Sequence, residues 1–171
     1  MKSIQFVSNL KQLLGTHGFQ QLDLQPTPAP GVLVSGQYNG VPVQLEFDIG
    51  GPMTIAIDRP QSFNLSIRPE STVSRILDEV GHSREIKTGF ADFDAEYLIR
   101  LDPPGERWFT PPVVSAVRAL DPFDELTVGA SGFRVRKPWA VSTYSAERAL
   151  TDLRQLMVLA GMELAGGCEP G

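Results

Sequence analysis

The segment from Gly31 to Asp48 constrains this chain more than any other, because turn chemistry and hydrophobic alternation agree within it. Val32, Val34, Gly36 and Tyr38 alternate with other residues up to Asn39-Gly40, and Val41, Val43, Leu45 and Phe47 alternate after it. Asn-Gly accepts positive φ at both central positions of a type I′ turn, so the spacing predicts a two-residue hairpin. That loop length fixes the register: Tyr38 opposite Val41, Gly36 opposite Val43, Val34 opposite Leu45 and Val32 opposite Phe47. All eight residues then share one face, as a half-buried antiparallel pair requires.

The alternation continues. Gly50-Gly51-Pro52 turns the chain into Met53, Ile55 and Ile57, and Arg59-Pro60-Gln61 turns it again into Phe63, Leu65 and Ile67. Residues 31–68 are therefore expected to form a four-strand meander whose opposite face carries Ser35, Gln37, Gln44, Glu46, Asp48, Asp58, Asn64, Ser66 and Arg68. Helices must cover the apolar side. A first helix is expected from Ser3 to about Leu14, with Ile4, Val7, Leu10 and Leu14 at three- and four-residue spacing. The longest helix is expected from Ser142 or Thr143 to about Ala165, with Ala146, Leu150, Leu153, Met157, Ala160 and Leu164 as its stripe. Between them, Thr110-Pro111 opens a helix backed by Val113, Val114, Val117 and Leu120, and Ser71 opens another ending near Gly81. A strand is expected at 84–87, another within 95–101, and a closing hairpin joins Leu126 and Val128 to Phe133 and Val135.

These elements imply an α+β protein: an antiparallel meander sheet of about six or seven strands, one face covered by N-terminal, middle and long C-terminal helices. The expected organisation is a single domain over 1–171, divided into an N-terminal helix (1–19), a proline-rich connector (20–30), the meander (31–68), a mixed segment (69–141), the long helix (142–165) and a tail (166–171). Pro26, Pro28 and Pro30 at alternate positions hold the connector extended. A chain of 171 residues buries roughly 70% of its unfolded surface and needs no metal or disulfide staple.

Charge excludes several functions. The chain carries a formal net charge of −5 and no run of Lys or Arg, which argues against nucleic acid and against polybasic attachment to anionic lipid. Its single cysteine, Cys168, makes no internal disulfide, and no stretch approaches the ~18 apolar residues of a membrane span. The polar residues among the first twelve do not read as a secretory leader. Cytoplasmic residence is the expectation, with no transmembrane segment; peripheral association with a membrane complex remains compatible.

Catalytic constellations are sparse. His17 and His82 follow separate helices, where a cation suits the helix dipole, and neither has a second histidine or cysteine nearby to hold a transition metal. No nucleophile elbow or nucleotide-binding glycine string occurs. Asp58 with Glu85-Ile86-Lys87 loosely matches the Asp…Glu-x-Lys pattern of Mg²⁺-dependent nucleases, but the charge balance opposes it. Asp92, Asp94 and Glu96 lack calcium-loop spacing; Asp92 or Asp94 is expected to bond backbone N–H groups of a turn while Phe90 and Phe93 enter the core. No catalytic residue, metal or cofactor is assigned. The large rigid side chains of Trp108 and Phe109 belong to the core where loops bury them and anchor a partner where they are exposed; they and the stiff connector at Pro26 and Pro28 are the candidate partner-binding residues.

The Tyr38-Asn39-Gly40-Val41-Pro42-Val43 hairpin, the string Gly89-x-x-x-Phe93-Asp94-x-x-Tyr97-x-Ile99, the Pro111 helix and the closing hairpin occur in that order over residues 31–136. This order resembles a loose group of uncharacterised bacterial proteins of unknown function. The resemblance implies the fold and a bacterial origin, and no activity. The leading expectation is a non-catalytic protein-interaction module, an accessory subunit of a larger bacterial assembly. The alternative is a small-ligand or lipid-binding domain with its cavity between the meander and the long helix. A Mg²⁺-dependent nuclease-like enzyme stands third.

Overall fold

A computed structural model describes residues 2–27, 31–48, 52–70, 86–102, 109–138 and 145–162. The chain runs α1 (Lys2–Thr16), β1 (Gln20–Pro26), β2 (Gly31–Tyr38), β3 (Val41–Asp48), β4 (Met53–Ile57), β5 (Asn64–Pro69), α2 (Ala91–Glu96), β6 (Tyr97–Asp102), α3 (Pro111–Arg118), β7 (Glu125–Gly129), β8 (Gly132–Lys137) and α4 (Ala146–Gly161). The strands form one antiparallel sheet in the order β1-β2-β3-β4-β8-β7-β5-β6. The fold is α+β, with one strand more than the upper expectation.

The β2–β3 hairpin has the register its turn demands: Tyr38↔Val41, Gly36↔Val43, Val34↔Leu45 and Val32↔Phe47. Asn39 and Gly40 both take positive φ, 50° and 78°, as a type I′ turn requires. From that hairpin one aliphatic row crosses the sheet: Val34, Leu45, Ile55, Val135, Leu126, Ile67 and Ile99, each opposite the next. None of the seven is more than 1% exposed. Helix α4 lies over β4 and β8 and packs on α1 and α3. Its Ala149, Leu153, Leu156 and Ala160 close the core above that row.

Two expectations are corrected. The segment 20–26 is not a connector but the edge strand β1, paired with β2. Its pattern is masked by a register shift between Gln20 and Asp23 and by Gln21, whose φ is 57°; a bulge of this kind breaks the two-residue alternation. The 31–68 meander also stops at three strands, because β4 pairs with β8 rather than β5. The β7–β8 hairpin is inserted between them, and the β4–β5 connection passes its tip. There Gln61 N donates to Gly129 O (2.9 Å), and a Cβ on Gly132 would sit 2.1 Å from Ile57 O. Only a glycine lets the hairpin close against that carbonyl.

The helices fall near their expected places. Ser145, rather than Ser142 or Thr143, caps α4, its hydroxyl accepting from Arg148 N at 3.1 Å. Helix α3 begins at Pro111 as expected. Residues 91–96 form a short helix before β6, and Ile86 carries no strand although its N–H donates to Ile99 O at 2.9 Å. The expected 71–81 helix lies outside the described residues.

Candidate functional site

Alternation along β8 puts Phe133, Val135 and Lys137 on the helix-covered face and Arg134 and Arg136 on the other. The two faces therefore hold different kinds of polar chemistry. On the covered side Lys137 and Asp152 of α4 are both fully buried, with Lys137 Nζ 3.4 Å from Asp152 Oδ2. Lys137 Nζ also donates to Leu120 O, beyond the end of α3. Arg148 Nε approaches the same Asp152 oxygen at 3.3 Å, and its Nη2 donates to Asp121 O at 2.6 Å. Tyr97 OH donates to the Asp121 carboxylate.

Burial pushes the Lys137 ammonium below its ordinary value, with the Asp152 carboxylate pulling the other way. Burial and then the bond to Asp121 push the Tyr97 phenol up. The cluster ties α4, β8, β6 and the α3–β7 connection together. Both charges are fully buried and engaged with each other and with the Leu120 carbonyl, so we assign the cluster to the framework.

A second polar grouping also serves the framework. Asp94 Oδ1 accepts from Thr88 N (2.9 Å) and Thr88 Oγ1 (2.7 Å), and Oδ2 accepts from Gly89 N (3.1 Å). Burial raises the Asp94 carboxyl, but these bonds and Lys87 outweigh it and hold it below its ordinary value. Phe93 is fully buried beside Tyr97 (ring centroids 4.8 Å), and Phe90 packs against the core. This is the turn expected at this string: a carboxylate gathering N–H groups while the aromatics turn inward.

The other face of the sheet is open at its centre. Cross-strand register sets Arg134 between Ala56 and Thr127, and Arg136 between Thr54 and Glu125. Both arginines are exposed, whereas the flanking Thr54, Ala56 and Thr127 are half-buried. The short side chains thus leave a shallow depression lined by Thr54, Glu125, Thr127, Arg134 and Arg136. Glu125 is engaged elsewhere: its Oε2 lies 2.8 Å from Arg68 Nε on β5. Among the described residues, no carboxylate pairs with Arg134 or Arg136. In an acidic chain, two exposed guanidiniums two residues apart on one strand, with no ion pair among the described residues, are the most distinctive surface chemistry described.

The candidate residues from sequence fall elsewhere. As a partner-binding residue Phe109 is corrected, and its core alternative holds: it is 6% exposed, with its ring 5.9 Å from that of Phe93. Pro26 is exposed at the end of edge strand β1, opposite Val32. Trp108, Pro28, Cys168, His82 and Glu85 lie outside the described residues, and with Glu85 goes its pairing with Asp58. His17 Nδ1 lies 3.0 Å from Arg154 Nη2, linking the end of α1 to α4. Arg134 and Arg136 were missed because two arginines in six residues make no basic run; the period-two spacing of Arg134 and Arg136 was the available sign.

Among the described residues, no group of three metal-ligating side chains gathers, and no helix is long and apolar enough to cross a membrane. No protein family matches the chain, and no curated protein matches it in sequence. In fold the chain is similar to the crystal structure of the mycobacterial trehalose monomycolate transport factor A, TtfA. The TM-score is 0.60 at 15% identity, over 90% of this chain and 91% of that one.

Proposed function

We propose that this protein is a non-catalytic interaction module, an accessory component of a larger bacterial assembly, and that it docks a partner protein on the open face of its sheet. The observation that carries this reading is the exposed pair Arg134 and Arg136, without an ion pair among the described residues and presented on a strand whose other face is buried in the core. Rigid presentation lowers the ordering cost of docking, and Arg is enriched where interfaces concentrate their binding energy. Likeness in fold to a protein named as a transport factor supports an accessory role. Its setting in this reading is cytoplasmic, with peripheral association with a membrane complex; among the described residues no helix is long and apolar enough to cross a membrane.

The alternative, a lipid or small-ligand cavity between the meander and α4, has less support. Ile55, Val135, Leu153 and Leu156 line that interface and are fully buried in one packed cluster. The test is affinity capture from the native bacterium with the wild-type protein and an Arg134→Glu/Arg136→Glu variant. The proposal expects a stoichiometric partner that the variant loses. Failure to capture a stoichiometric partner, or its retention by the variant, overturns it.

A further inference from the structure

Resting on the open face as the docking surface, the geometry points to its occupant: an acidic, extended protein segment whose carboxylates, at alternate positions, are read by Arg134 and Arg136. The two arginine side chains leave β8 about 6.7 Å apart, the repeat at which an extended segment places successive side chains of one face. Guanidinium forks bind carboxylates in a planar bidentate geometry and are less strongly hydrated than ammonium groups. Both arginines are flanked across the sheet by short residues, Ala56 and Thr127 for one and Thr54 for the other, which leave the forks room to close over a ligand. Thr54 beside Arg136 and Thr127 beside Arg134 add hydroxyl-bearing neighbours on the two flanking strands.

Glu125 sharpens this choice. It sits directly across from Arg136 and could have neutralised it, yet it pairs with Arg68 on the opposite side. Arg136 is thereby left for a carboxylate from outside. Glu46 stands beyond Thr54 in the same row, so an acidic segment shifted toward β3 meets a like charge. That repulsion favours placement over β8, where the two arginines stand, a use of charge for register rather than for affinity alone. Nucleic acid fits poorly, since its affinity rests on many phosphate contacts and two arginines supply few. An anionic membrane surface asks for clusters of about four to eight basic residues, and among the described residues no large apolar side chain is exposed on this face; Val158, exposed at 50%, belongs to α4.

Two fluorescein-labelled synthetic peptides test the inference by anisotropy, one alternating Asp with Thr and one of the same composition with its Asp residues grouped at one end. The alternating peptide should bind the wild type more tightly than the grouped one, and less tightly as salt rises. Arg134→Gln/Arg136→Gln should weaken it at least about tenfold, whereas Arg134→Lys/Arg136→Lys should keep part of the affinity. Equal binding of the two peptides overturns the inference, as does an unchanged affinity in the Gln variant. Tighter binding of a single-stranded oligonucleotide or of vesicles rich in phosphatidylglycerol also overturns it. Loss of the captured partner with no peptide binding would refute the acidic segment and leave the docking face standing; retention of the partner by the Glu variant would refute the face itself. Both positions are solvent-exposed, so unchanged melting curves establish that the variants fold.

Discussion

Breaking the Lys137–Asp152 pair should cost more than any comparable surface change, and the structure supplies the size. Both side chains are fully buried, 3.4 Å apart at Nζ and Oδ2. Asp152→Ala leaves the ammonium inside the protein with the Leu120 carbonyl as its remaining described acceptor, a situation that costs about 3–5 kcal/mol. Lys137→Met is milder and falls toward about 3 kcal/mol, because Arg148 still lies 3.3 Å from Asp152 and its side chain is 40% exposed to water. Replacing both, as Lys137→Met/Asp152→Leu, removes the desolvation cost along with the attraction and should restore wild-type stability or exceed it.

Urea unfolding measures all four proteins. With a slope near about 2 kcal/mol/M, the Asp152→Ala midpoint should fall by roughly 1.5–2.5 M at unchanged slope. The sign of the pH dependence is also set. Burial lowers the Lys137 value in the folded state below 10.5, so the folded protein sheds this proton first. Stability relative to Lys137→Met should then rise as pH climbs from the lowered value toward 10.5, and more steeply in Asp152→Ala, which lacks the opposing carboxylate. A double variant whose loss equals the sum of the single losses would refute the reasoning, since it would show two independent packing defects.

Leu45→Ala, at the centre of the cross-sheet row and 1% exposed, should cost about 2–5 kcal/mol in the same assay; an unchanged midpoint contradicts the register. Asp94→Ala should cost about 1–3 kcal/mol near neutrality through its lost charged hydrogen bonds. Because the folded Asp94 value lies below 3.8, the wild type has this stability above 3.8 and loses it as pH falls through the folded value, and the variant's deficit should shrink over that window. Phe109→Ala should destabilise by about 3–5 kcal/mol as a buried aromatic while leaving peptide affinity at Arg134 and Arg136 unchanged; a binding loss without a stability loss would return Phe109 to the surface.

What could be read from sequence was whatever local chemistry decides. The β2–β3 hairpin was legible because Asn39-Gly40 and the alternation on each side specify one register. The Pro111 start of α3 and the core positions Val34, Leu45, Ile55 and Leu65 were legible for the same reason, each set by neighbours a few residues away. The neighbour of β4 was not: alternation marks a strand but carries no information about which strand pairs beside it. That choice depends on the β7–β8 hairpin, roughly seventy residues further on. Strand β1 was hidden by its bulge at Gln21 and by the prolines around it. The candidate site needed the same non-local knowledge, since Arg134 and Arg136 become a site only once Thr54, Ala56 and Thr127 are known to flank them and Arg68 to hold Glu125 aside.

The most direct test of the docking face is backbone amide chemical-shift mapping of the isotope-labelled protein, titrated with the purified partner that the affinity capture yields. The account predicts that the largest perturbations fall on β4, β7 and β8, centred on Thr54, Thr127, Arg134 and Arg136, with α1 and α4 unmoved. Perturbations centred instead on the exposed sides of α1 and α4, or on the β1 edge around Pro26, would contradict it.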